Sequence, residues 1–168
     1  MTAAAILLLL VTAERLAELA FARSNTAALL ARGAAEKATG HYPLIVALHA
    51  SWLLGLWVFG WSQPVHLAWL AVFVLLQGLR VWVLVTLGRR WTTRIIVVPG
   101  EILASRGPYR FFAHPNYIVV VGEIAVLPLC LGLPWFALLF SIANALVLTI
   151  RIRAENAALN ELRNVAVS

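Results

Sequence analysis

Residues 65–88, VHLAWLAVFVLLQGLRVWVLVTLG, form an unbroken, mainly apolar run, and a helix of that length crosses the roughly 30 Å of hydrocarbon in a bilayer. Four more such runs fall at 3–23, 42–61, 117–133 and 134–152. A chain so built lacks the polar surface needed to cover an aqueous fold. Hydrophobic residues make up 62% of its 168 residues and charged residues 12%, against about 45–50% and about 25% in soluble domains. The sequence predicts a single domain, 1–168, that is an all-α integral membrane protein with about five transmembrane helices. The start, MTAAAILLLLV, lacks a basic leader and runs directly into ERLAEL, so it is read as the first span, retained.

The formal charge of +6 does not indicate nucleic acid, because the basic residues punctuate the ends of apolar runs. Every lysine and arginine except Arg15 and Arg80 falls in the connection after the first run, the connection after the third, or the tail. The turns WSQPV and CLGLPW carry none. The positive-inside rule therefore places the N-terminus outside and the C-terminus in the cytoplasm, in a multi-pass membrane protein. Trp57, Trp61, Trp69 and Trp135 then gather near the outer interface, where indole is favoured. The lone Cys130 and the scattered His41, His49 and His66 suggest no metal site.

Glu14, Arg15, Glu18, Arg80 and Glu123 lie within the runs. A charge in the bilayer interior costs at least a few kcal/mol unless it is paired or wetted. Gln77 and Arg80 share one helix face, and Glu14 and Glu18 another. Two arrangements satisfy this pattern: interhelical ion pairs such as Arg80 with Glu123, or a polar pocket open to the cytoplasm between the first, third and fourth spans.

Two shorter segments connect the runs. Residues 24–39 are alanine-rich and read as an interfacial helix or loop. The segment TTRIIVVPGEILASRGPY reads as strand, Pro99-Gly100 turn and second strand, a cytoplasmic hairpin able to cover a site at about 94–117 and 151–159. The hairpin leads into GPYRFFAHPNY, residues 107–117, whose prolines, arginines and tyrosines no lipid-facing helix would tolerate.

This constellation, GPYRFFAHPNY opening the fourth run and RIRAENAAL closing the fifth, resembles the isoprenylcysteine carboxyl methyltransferase family, over about Gln77 to Leu159. That family pairs a Gly-x-Tyr element and Arg-His-Pro-x-Tyr with a terminal Arg-Ile segment leading into Glu-Glu-x-x-Leu. The resemblance implies S-adenosylmethionine as cofactor, surrounded by Ile102, Leu103, Ala104, Tyr109, His114, Pro115, Asn116, Tyr117 and Glu155. It also implies that Arg151 faces the reacting group of a lipid substrate entering from the bilayer. Ala113 stands where the family has arginine, Asn156 where it has a second glutamate, and the longer aromatic tail is missing after Glu161. QGLRVWVLVTLGRRW and the glutamate six residues after Tyr117 look closer to a bacterial branch associated with type III polyketide synthases and O-methylation of alkylpyrones or alkylresorcinols.

The residue types suit the chemistry. Methyl transfer needs an aligned oxygen nucleophile and exclusion of water, and aromatic rings can lie against a cationic sulfur. An already ionised acceptor needs a cation, Arg151 first and Arg80 with Gln77 second; a neutral phenol also needs a base, for which His114 is placed. Two other classes stay open. NADPH-dependent membrane reductases share His-Pro-Asn-Tyr, and a non-enzymatic scaffold is compatible with Ala113 and Asn156.

Overall fold

A computed structural model of the chain describes residues 1–98 and 105–167, the side chains of 158–167 excepted. Five helices carry the fold: α1 Ala3–Ala31, α2 Tyr42–Gly60, α3 Leu67–Leu87, α4 Pro115–Cys130 and α5 Pro134–Val167. Helices α2, α3 and α5 are long and apolar enough to cross a membrane. Helix α1 has the length but carries Glu14, Arg15, Glu18 and Arg23, and α4 is apolar but has 16 residues, about 24 Å. Three of the five expected spans thus meet the requirement unaided.

Thr2 caps α1 by accepting from the Ala5 amide at 3.1 Å, and its hydroxyl also reaches the Trp61 carbonyl at the end of α2. The alanine-rich stretch after residue 23 continues α1 instead of forming a separate element, as strong helix formers dictate. It stops at Gly33, whose φ of +87° ends the helix. Helices α4 and α5 meet in the turn at Leu131–Leu133, and α5 opens on Pro134, whose missing N–H is harmless at a first turn. Helix α3 packs most extensively against α4, so closely that a Cβ on Gly122 would come within 2.7 Å of Leu76. The main core, built on Leu8, Leu56, Ile124, Leu127 and Leu131, lies between α1, α2 and α4.

The hairpin expected within the long connection takes a different form. Strand β2, Ile96–Val97, pairs antiparallel with β1, Ala35–Glu36, in the connection between α1 and α2. The Lys37 amide donates to the Ile95 carbonyl at 2.9 Å, and Arg94 donates to both Glu36 oxygens at 2.8 and 2.9 Å; these bonds fix the pairing across connections. The Pro99-Gly100 turn and Ile102, Leu103 and Ala104 lie outside the described residues. Residues 88–98 are held from several sides. Buried Asn25 of α1 donates to the Gly88 and Trp91 carbonyls at 3.2 and 2.8 Å, and the Tyr42 hydroxyl meets Thr93 Oγ1 at 3.2 Å.

Candidate active site

His114 precedes Pro115, which bars it from the helical region, and it sits at φ −136° with no side-chain cap bond. The turn that follows throws Tyr117 toward α5. Its hydroxyl donates to Glu155 Oε2 and accepts from Arg151 Nε at 3.0 Å. Arg151 spends a further donor on the Thr93 carbonyl at 2.9 Å, and it reaches Glu155, four residues on, through the Tyr117 hydroxyl. The His114 ring stacks on Tyr117 with centroids 5.1 Å apart. The start of α4 and the acidic end of α5 therefore converge on one another.

Tyr109 approaches from the short 3₁₀ turn Gly107–Arg110. Burial, and then the negative charge of Glu155, push its phenol up to about 12. Gly107 adopts φ +57°, and a Cβ there would overlap the Thr86 hydroxyl of α3, so the turn seats on α3 only with glycine. Tyr109 packs against a small core of Ala22, Val83 and Trp91. Trp91 is 4% exposed and stacks on Phe21 at 6.1 Å, with Asn25 holding its backbone carbonyl.

Behind Tyr117 lies a cavity of about 340 Å³ whose lining includes Tyr42, Thr93, Asn116, Tyr117 and Arg151 toward one end. Arg15, Glu18, Arg80, His49 and Asn144 also line it. Arg80 is fully engaged there. Its Nε donates to Glu123 Oε1 at 2.8 Å, a second nitrogen pairs with Glu123 Oε2, and the third meets both Glu18 oxygens at 3.2 Å. Arg15 bridges Glu18 at 2.9 Å and Glu123 at 3.1 Å, and Gln77 donates to Glu123 at 2.8 Å. The ion-pair reading of the buried charges holds, and the pairs border a cavity lined chiefly by α1, α2, α4 and α5, with Arg80 its contribution from α3, where the sequence placed a pocket between the first, third and fourth spans. On the other side of Tyr117 an open groove of about 500 Å³ runs along Phe111, Phe112, His114, Ile118 and Ile152.

Of the residues singled out from sequence, Tyr109, His114, Tyr117, Arg151 and Glu155 come together, Asn116 lines the cavity, and Pro115 is buried in the first turn of α4. Arg80 lines the cavity with its donors on glutamates, and Gln77 joins through Glu123. Three groups escaped sequence reasoning: the Thr93 carbonyl, His49 and Asn144. The first is backbone and leaves no trace in composition; the other two are single polar residues within apolar runs, a signal that intramembrane polarity alone supplies.

Comparison with known proteins points to the family that the motifs resemble. The profile of the isoprenylcysteine carboxyl methyltransferase family matches residues 69–161, from α3 through the acidic part of α5. An uncharacterised protein of Bacillus subtilis (strain 168), YpbQ, is 40% identical over 161 residues, covering 93% of this chain and 96% of that protein. No solved structure matches the chain.

Proposed function

This chain belongs to the isoprenylcysteine carboxyl methyltransferase family, and on that premise we propose that it moves a methyl group from S-adenosylmethionine to an oxygen of a lipophilic acceptor within the membrane. Enzymes of the family use that donor. The observation that carries the reading is the Tyr117–Glu155–Arg151 convergence. Glu155 makes no ion pair among the described residues, its single hydrogen bond coming from the Tyr117 hydroxyl. A carboxylate left open in this way suits the ribose hydroxyls or the ammonium of the donor. The stacked His114 and Tyr117 rings and Tyr109 offer electron-rich faces to a cation. When bound, S-adenosylmethionine supplies an electrophilic methyl group on a sulfonium.

The chain's own residues do the rest. Tyr117 holds Glu155 and Arg151 at fixed separation, and Thr93 steadies the far end of Arg151. Arg151 is the cation that orients the acceptor oxygen, and the apolar lining of the cavity excludes water. Acceptors of this description include alkylpyrones, alkylresorcinols and isoprenylcysteine-like lipids, reaching the cavity from the bilayer. The protein then sits multi-pass in a bacterial cytoplasmic membrane, N-terminus outside, with the Arg151 end of the cavity facing the cytoplasm.

Isothermal titration calorimetry in detergent tests this. S-adenosylhomocysteine binds at micromolar or tighter concentration, and Glu155→Gln and His114→Ala each weaken it by about tenfold or more, the loss expected for one charged hydrogen bond or cation contact. Heat on adding NADPH alone, or wild-type affinity in both variants, overturns the proposal.

A further inference from the structure

His49 lies on α2, seven residues beyond Tyr42, and Asn144 lies on α5, seven residues before Arg151. Seven residues are about 10.5 Å of helix, so their backbones lie about two turns from those of Tyr42 and Arg151, while both side chains line the same cavity as Arg151. His49 Nδ1 is 2.9 Å from the Ile45 carbonyl. A carbonyl only accepts, so Nδ1 carries the hydrogen and, in the neutral ring, Nε2 carries a lone pair. Nε2 has no hydrogen-bond partner among the described residues, and it is not among their fully enclosed unpaired atoms. Asn144 is 3% exposed and its amide likewise makes no hydrogen bond there. A basic nitrogen and an amide, both unengaged, thus border one cavity, where a buried polar group ordinarily finds a partner.

We infer that His49 is the proton acceptor for a neutral hydroxyl substrate, a phenol or enol on a long apolar chain, which Asn144 helps to seat. This rests on the methyltransferase reading and narrows it to hydroxyl acceptors. The substrate O–H bond breaks, its proton passes to Nε2, and the freed oxygen electron pair forms the O–C bond as the donor's C–S bond breaks, that pair returning to sulfur. The imidazolium then returns its proton to water. His114 is the other imidazole near Tyr117, but it stands across the ring in the outer groove. Arg15 and Glu18 from α1, Arg80 from α3, Glu123 from α4 and Arg151 from α5 face the His49 region. The first four are paired with one another, and Arg151 is engaged with Tyr117 and Thr93, so His49 is the unengaged base.

The test uses the full chain in micelles and a nitrophenol bearing a long alkyl chain, whose phenolate is yellow. Bound to the wild type, the probe ionises at a pH lower by about one unit or more than when bound to His49→Gln. Nitrogen-15 spectra of the histidine-labelled wild type show the His49 imidazole becoming doubly protonated as the probe ionises. Equal midpoints in the two proteins, or an imidazole that stays neutral, overturn the assignment; if His49→Gln does not fold, the wild-type spectra decide alone. S-adenosylhomocysteine titration is read separately: its failure in the wild type refutes the methyltransferase reading, whereas probe ionisation judges His49.

Discussion

Replacing Glu123 by leucine removes the centre of the buried charge cluster while leaving Arg80 where it is. Glu123 takes two donors from Arg80, one from Arg15 at 3.1 Å and one from Gln77 at 2.8 Å, and the Arg80 and Glu123 side chains are 4% and 6% exposed. Breaking such a pair from one side costs about 3–5 kcal/mol, since the remaining charge keeps its desolvation penalty. Arg80 still has Glu18 at 3.2 Å, so the lower end, about 3 kcal/mol, applies. Removing both partners in Arg80→Met with Glu123→Leu leaves the Arg15–Glu18 pair intact and costs about 1 kcal/mol or less, because apolar replacements of a buried pair are often neutral. The coupling is therefore about 2 kcal/mol or more. Unfolding in mixed micelles by SDS, followed by circular dichroism, measures Glu123→Leu, Arg80→Met and the double variant. A Glu123→Leu loss below about 1 kcal/mol, or a double variant as unstable as the summed singles, would refute the reasoning.

Three further outcomes follow from the site. Tyr117→Phe deletes the hydroxyl that joins Glu155 to Arg151 and lowers S-adenosylhomocysteine affinity by about tenfold; unchanged calorimetric affinity counts against the relay. Tyr109, raised from an ordinary 10 to about 12, contributes stability that is whole below pH 10 and lost as pH rises toward 12, because the unfolded phenol ionises first. The SDS midpoint should fall across that window and fall less in Tyr109→Phe. Gly107→Ala places a Cβ against Thr86 at positive φ and costs about 1–3 kcal/mol; a thermal midpoint equal to the wild type would show that the turn has another seat.

The helices were legible because apolar runs and their charged ends report directly on where a chain meets lipid. Arg80 with Glu123 was legible for the same reason, since buried opposite charges seek one another. Pairing between Ala35–Glu36 and Ile96–Val97 was not, because a two-residue strand has no periodicity to read. Extension of α1 through Ala31 was hidden by the polar stretch Arg23, Ser24, Asn25 and Thr26, which looks like an interface but sits on the helix. Within the candidate site, Tyr117 and Glu155 stood out through their motifs. Thr93 acts through its carbonyl, which any residue type supplies, and His49 shows its tautomer only once Ile45 is seen beneath it.

The segment 88–98 has a bearing on how the protein is made. Asn25, Glu36 and Tyr42, which grip it from one side, are synthesised before it, and Arg151, which grips it from the other, comes more than fifty residues later. The strap lands on a seat already built and waits for its bolt. A nascent chain arrested just short of residue 151 would carry the seat and the strap but no fastening, and would gain one only as α5 left the ribosome.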